Sequence, residues 1–232
     1  MVEIKGLEKF SPRDYPGVMS STVFLGSCNF RCPFCHNAEL VLNPDDLPTF
    51  PPDYFIQFLD SRKDWLEGIC ITGGEPLLHQ DLADFMSFLK ERELLVKLDT
   101  NGSFPSRLED LIVKNLLDSV AMDVKAPLAK YKEVTRSSVD VKNIQKSIDI
   151  IKHSGVDYMF RLTAVPGLID RTGIEEIGRM LEGAKVFQIQ QFVPVNTLDP
   201  TFERLKPFKR EEIRELGKNV EKYFSEVRIE EA

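Results

Sequence analysis

Short apolar runs alternate with amphipathic stretches along this chain of 232 residues. Six runs, over residues 21–25, 68–72, 94–99, 119–124, 158–165 and 186–193, have the length and aliphatic content of buried strands. Between and after them, apolar side chains recur at three- and four-residue spacing: Phe55/Phe58/Leu59, Leu82/Phe85/Met86/Leu89, Leu108/Leu111/Ile112, Ile144/Ile148/Ile151, Ile174/Ile177/Leu181 and Ile213/Leu216/Val220/Tyr223. That spacing puts them on one face of a helix. His153-Ser-Gly155 reads as the stop of the fourth helix. Six such β-α units predict an α/β fold with a parallel sheet and right-handed crossovers. Eight units would close a barrel, so six predict a partial (β/α)6 barrel, open along one side. Residues 1–18 are expected to form a lead segment packed on that barrel, and residues 19–232 the barrel itself as a single domain.

Polar residues gather just after the apolar runs. A cysteine loop follows the first, Gly73-Gly-Glu-Pro76 the second, Asp99-Thr-Asn-Gly102 the third and Asp123-Val-Lys125 the fourth. Arg161 to Gly167 completes the fifth and Pro194-Val-Asn196 the sixth. In parallel α/β folds the strand C-termini carry the site. Each segment alone also reads as ordinary loop chemistry: Asp99-Thr-Asn-Gly is a good turn, and Asp123 with Lys125 a rim ion pair. Six of them on one edge favour a shared site.

Composition narrows the function. Apolar residues make up 42% of the chain, enough for a sizeable core, and no run approaches the ~18 apolar residues of a membrane span. With 37 acidic and 30 basic side chains the formal charge is −7, the wrong sign for a nucleic-acid binder. The N-terminal residues lack a signal-peptide apolar region, and cysteines clustered without a paired framework suit a reducing compartment; a cytoplasmic location is expected.

Three of the four cysteines, Cys28, Cys32 and Cys35, fall within eight residues. Three thiolates on one tight loop can hold three irons of a [4Fe-4S] cluster and leave the fourth open to a substrate or cofactor. Structural zinc is the alternative, but it closes its shell with four ligands, and His36 would have to bend back beside Cys35 to supply the last. The adjacent Gly73 and Gly74 let the backbone approach a ligand, Glu75 offers a carboxylate, and Pro76 fixes the exit of the chain. Cys70 reads as a small buried hydrophobe, His79 and His153 as loop and helix-end polar residues.

The cysteine loop and Gly73-Gly-Glu-Pro76 together resemble the radical S-adenosylmethionine (SAM) superfamily. That resemblance implies that the open iron chelates the amino and carboxylate groups of SAM, and that the glycine segment holds the methionine amino group. Arg31-Cys-Pro-Phe-Cys-His-Asn37, Asp99-Thr-Asn-Gly102, Ala121-Met-Asp-Val-Lys125 and Val165-Pro-Gly167 resemble the activases of glycyl-radical enzymes. The leading Gly6 and Asp14-Tyr-Pro-Gly17 are similar to long-form activating proteins of anaerobic ribonucleoside-triphosphate reductase. By position the resemblance implies a cofactor site of Gly73, Gly74, Glu75, Pro76, Asp99, Asn101, Lys125 and Asn196, with Lys125, Asp123 and Arg161 at the catalytic centre. It also implies reductive cleavage of SAM to methionine and a 5′-deoxyadenosyl radical, which takes hydrogen from a glycine Cα of a partner enzyme. A flavodoxin or ferredoxin-type protein is the expected electron donor. Pyruvate formate-lyase activases carry a histidine where this chain has Asn196, and the short reductase activases are smaller than this chain, so another glycyl-radical enzyme remains an alternative target. A small-molecule radical SAM enzyme, similar to a 7-carboxy-7-deazaguanine synthase, is the other rival; its mark would be a buried pocket for an anionic substrate. No ferredoxin-like insert with further clusters is expected, since Cys70 is the one cysteine left over.

Overall fold

In the computed structural model, which describes residues 2–231, the chain divides into two compact units. One runs up to Asn29 and takes in Glu39–Thr100 and Ser106–Val120; the other takes in Phe30–Ala38, Asn101–Pro105 and the chain from Ala121 onward.

In the first unit β1 (Ile4–Glu8) lies antiparallel to β2 (Ser20–Leu25), with a register shift between Ile4 and Gly6. Strands β2, β3 (Gly68–Gly73) and β4 (Leu95–Thr100) are parallel, as the helical connections require. The helices are α1 (Ala38–Leu42), α2 (Pro52–Asp60), α3 (Leu82–Lys90) and α4 (Pro105–Val113), the first residues of α1 and α4 being assigned to the other unit. Val23, Leu25, Ile69, Ile71, Val96 and Leu98 are fully enclosed, as are Phe55 of α2 and Phe85, Met86 and Leu89 of α3. Pro52 opens α2, where a missing N–H costs nothing. Within the lead segment the Asp14 carboxylate accepts hydrogen bonds from Ser11 Oγ (2.7 Å) and from Thr22 Oγ1 of β2 (2.6 Å), which ties the segment to the sheet.

Strand β5 (Ser119–Asp123) carries the chain from the first unit into the second. There follow α5 (Tyr131–Thr135), α6 (Val141–His153), β6 (Asp157–Ala164), α7 (Arg171–Met180), β7 (Val186–Gln191), α8 (Arg210–Lys218) and β8 (Glu226–Glu230). Strands β6, β7 and β8 are parallel. Asp140 caps α6 by accepting from Lys142 N, and Asp170 caps α7 by accepting from Gly173 N. Helix α6 stops before Gly155, whose φ of +79° a glycine adopts without strain, where the sequence places the stop.

The α/β class, the parallel strands and all six predicted strands are present. Strands β1 and β8 are additions. Ile4-Lys-Gly-Leu-Glu8 is broken by a glycine, and Glu226-Val-Arg-Ile-Glu230 is three-fifths charged, so neither reads as a buried run. Helices α1 and α5, each five residues, are too short to show a period.

Candidate functional site

The predicted site residues fall in both units. In the first, β2 ends at Leu25 and leads through Ser27, at φ +65°, into Cys28. The segment after β3 is fastened to that root: Gly74 N donates to Leu25 O and Glu75 N to Ser27 O, both at 2.8 Å. A Cβ on Gly73 would lie 2.2 Å from Leu25 O, and one on Gly74 only 1.8 Å from Ser27 O. The glycine pair therefore serves an approach of the chain to itself, one that positions the start of the cysteine loop. His79 joins the same arrangement through Nε2 and Gly26 O, 2.9 Å apart.

Glu75 is fully buried, and its Oε1 accepts hydrogen bonds from Leu77 N at 3.0 Å and Thr100 Oγ1 at 2.8 Å. Pro76, also buried, opens the short helical turn Pro76–Leu78 that follows. Asp99 is buried beside Lys97, whose ammonium pairs with Asp99 Oδ1 and reaches Cys70 Sγ at 3.6 Å. Cys70 Sγ lies 3.7 Å from the same carboxylate oxygen. Cys70 is thus buried as expected, but among charges. Lys97 was legible as a polar residue two positions before Asp99 within an apolar strand, a spacing that shares a face.

In the second unit the rest of the cysteine loop closes on itself with Cys35 N donating to Cys32 O at 3.1 Å. Neighbouring loops clasp it. Arg31 N donates to Thr135 O, Leu198 N to Cys35 O and Asp199 N to Pro33 O, at 2.8, 2.9 and 2.9 Å. Arg136 pairs with Asp199 at 2.7 Å. The His36 ring lies tilted against Phe192, 6.1 Å between centroids. Burial draws its pKa below the usual histidine value, against an upward push from a hydrogen bond with the Val193 backbone.

Asp123, at the end of β5, is held from two sides: Arg161 Nε donates to Oδ1 at 2.9 Å and Lys125 Nζ stands 3.3 Å from Oδ2. Burial pushes the Asp123 carboxyl up, yet Arg161 and Lys125 together outweigh it and hold it well below the carboxylate range. For Lys125 burial acts downward, and the charge of Asp123, followed by those of Cys32, Cys35 and Tyr131, raises it above the ordinary lysine value. Tyr131, fully buried in α5, donates its hydroxyl to Asp123 O at 3.5 Å and accepts from Lys125 N at 3.3 Å. Burial raises its pKa. Its ring meets Phe30 edge-on at 6.3 Å. Tyr131 was not legible as a site residue in the sequence, because a buried aromatic in a short helix looks like any core residue.

Asn101 Oδ1 accepts from Ser103 N and Ser103 Oγ, closing a turn. Gly102 follows at φ +75°, with Met122 filling the space a side chain would take. Asn196 stands exposed in a left-handed turn at φ +53°. Among the described residues no disulfide joins any of the four cysteines. Among the described residues no group of three or more His, Cys, Asp or Glu side chains is gathered to hold a metal ion, and no helix is long and apolar enough to cross a membrane. Three cysteines share one loop, and the charge of Lys125 acts on Cys32 and Cys35; that donor set is chemically suited to thiolate ligation of iron.

The sequence profile of the Radical SAM superfamily matches residues 22–181. A protein of Methanocaldococcus jannaschii with the provisional name glycyl-radical enzyme activating enzyme is 38% identical over 97% of this chain and 95% of its own length. The pyruvate formate-lyase-activating enzyme of Streptococcus mutans is 28% identical over 84% of this chain and 78% of its own. Among solved structures, SuiB of Streptococcus suis bound to S-adenosylmethionine has a similar fold, with a TM-score of 0.68 at 16% identity over 91% of this chain. This chain spans 51% of the length of SuiB. A domain of a pyruvate-formate lyase-activating enzyme from Bacteroides vulgatus follows at TM-score 0.57 and 14% identity, over 72% of this chain and 99% of that domain.

Proposed function

Because this chain belongs to the radical SAM superfamily, we propose that it is a glycyl-radical-enzyme activase: it cleaves SAM reductively and places a radical on a glycine of a partner enzyme. The observation that carries the reading is the end-to-end correspondence with a relative bearing an activase name, at 38% identity over 97% of this chain. Anaerobic ribonucleoside-triphosphate reductase is the proposed partner, supported by the likeness of Gly6 and Asp14-Tyr-Pro-Gly17 to long-form reductase activases. The match to a pyruvate formate-lyase-activating enzyme supports a second reading, in which the partner is a formate-lyase-type enzyme.

In this proposal Cys28, Cys32 and Cys35 would hold a [4Fe-4S] cluster, which when bound would supply the low-potential electron for cleavage of SAM. Gly73, Gly74, Glu75, Pro76, Asp99, Asn101 and Asn196 would contribute to binding SAM. Lys125 presents a permanent positive charge to the carboxylate of SAM, and Asp123, braced by Arg161, fixes where that ammonium points. A flavodoxin or ferredoxin-type donor would deliver the electron.

Anaerobic reconstitution tests the reading. It should load about four irons per chain, and Ala at Cys28, Cys32 or Cys35 should abolish loading while Cys70→Ala keeps it. With SAM, a reductant and the reductase of the same organism, the wild type should leave an EPR-detectable glycyl radical on the reductase. A small metabolite that stimulates 5′-deoxyadenosine formation, while no glycyl-radical enzyme of that cell acquires a radical, would overturn it.

A further inference from the structure

Lys97 and Cys70 are buried ionisable side chains to which the proposed reaction gives no part. Register sets Cys70 of β3 opposite Lys97 of β4, and a two-residue spacing puts Asp99 on the same face as Lys97. The ammonium pairs with Asp99 Oδ1 and donates to Cys70 Sγ at 3.6 Å, while the thiol donates to the same Asp99 oxygen at 3.7 Å. The flanking Ile69, Ile71, Val96 and Leu98 are fully enclosed. Exposure falls inward from the strand end, from 7% at Asp99 to 1% at Lys97 and none at Cys70, so the ammonium stands behind the carboxylate. Thr100, the next residue, donates to Glu75 Oε1 at 2.8 Å, and this strand end therefore adjoins the Gly73–Pro76 segment.

A buried ion pair is a poor device for stability, because apolar residues of similar size commonly serve as well or better. What the ammonium changes is Asp99. A carboxyl buried without a counter-charge holds its proton to higher pH, and in that form it meets a ligand partly as a donor. Beside an ammonium it stays an anion, whose hydrogen bonds are about twice as strong as those between neutral groups. Two contacts on Oδ1 also limit how the carboxylate can turn. Lys97 from its own strand and Cys70 from β3 are the titratable groups seen to face it. Glu75, at the same strand end, is bonded instead to Leu77 N and Thr100 Oγ1.

We infer that Lys97 is a positioning residue for SAM: without meeting SAM itself, it keeps Asp99 ionised and oriented to accept hydrogen bonds from it. The inference rests on the reading above in which Asp99 contributes to binding SAM, and it adds the group that fits Asp99 for that task.

The test measures the SAM dissociation constant of the anaerobically loaded protein by equilibrium dialysis, between about pH 9 and about pH 6, the range into which burial alone lifts a carboxyl. The amino group of SAM titrates alike in every variant, so differences between profiles report on Asp99. Lys97→Met should bind SAM best at the alkaline end, where Asp99 ionises. Toward the acid end it should lose about tenfold or more in affinity relative to wild type, as the protonated carboxyl gives up a charge-assisted hydrogen bond. Lys97→Gln, whose amide can still donate to Asp99 but carries no charge, should follow the same profile. Lys97→Met/Asp99→Asn has no carboxyl to titrate, and should bind weakly with the pH dependence of the wild type. Iron content and melting temperature identify any variant that fails to load or fold, and the others then decide. A folded Lys97→Met or Lys97→Gln with wild-type affinity throughout overturns the inference, and so does a loss equal at every pH, which a packing defect would give. Wild-type affinity in Lys97→Met/Asp99→Asn overturns the role of Asp99 at SAM and the inference with it, while the activase reading stands. A wild-type protein that binds no SAM overturns that reading too.

Discussion

Lys97 is 1% exposed and Cys70 and Asp99 are buried with it. There the Lys97 side chain pairs with the Asp99 carboxylate. Removing one partner leaves the other charge buried and uncompensated, at a cost of about 3–5 kcal/mol, whereas removing both charges is far cheaper. Lys97→Met should therefore lower the urea-unfolding free energy of the apoprotein by about 3 kcal/mol or more, and Lys97→Met/Asp99→Asn should restore most of it. Additive losses in that cycle would show that the two side chains do not act as a pair. The same geometry governs how Asp99 variants are read: Asp99→Ala also disturbs Lys97, so Asp99→Asn with Lys97→Met is the cleaner probe of the proposed role of Asp99 at SAM.

At the level of elements, the exit of β3 and the exit of β2 are held together by two backbone hydrogen bonds and by the absence of side chains at Gly73 and Gly74. Gly74→Ala sets a methyl against the Ser27 carbonyl, a backbone group that cannot swing aside, and Cys28 comes next in the chain. Gly155→Ala, at the end of α6, meets nothing within 4 Å and suffers only its left-handed φ, about 1 kcal/mol. Thermal unfolding should rank Gly74→Ala well below Gly155→Ala, with an overpacking loss of about 1–3 kcal/mol or more. Iron loading should fall in the first and persist in the second. Equal melting temperatures and equal loading in the two would show that the approach of Gly74 to Ser27 carries no weight.

For the molecule as a whole, Asp123 links stability to acid. Its carboxyl is depressed when folded, despite burial, by Arg161 and Lys125, and returns to about 4 when unfolded. Between those values the unfolded chain binds the extra proton, so stability rises with pH there; the contribution is complete above about pH 4 and is lost as pH falls through the folded value. The unfolding free energy of the apoprotein should decline on acidification below about pH 4, and more steeply than in Asp123→Asn, which has no such proton to take up. Parallel acid profiles for the two proteins would remove Asp123 from the account.

The sequence by itself determined the elements and the chemistry spelled contiguously. Burial on one side of a helix or both sides of a strand imposes a local period, so the six strands and six longer helices were legible, and so were the Cys28–Cys32–Cys35 loop and Gly73-Gly-Glu-Pro76. The tertiary structure decided what lies across from what. Parallel register sets Cys70 beside Lys97, which no spacing along the chain announces, and it turns an apparent small hydrophobe into the neighbour of an ion pair. Chain packing spends Gly73 and Gly74 on Leu25 and Ser27. Alternation in Val186-Phe-Gln-Ile-Gln-Gln191 shows that two faces differ, but only the assembled sheet shows that Gln188 and Gln190 meet Glu230 on a face left part-open. Periodicity is a property of neighbours in sequence, whereas a site is made of neighbours in space, and the two coincide only where the functional residues are consecutive.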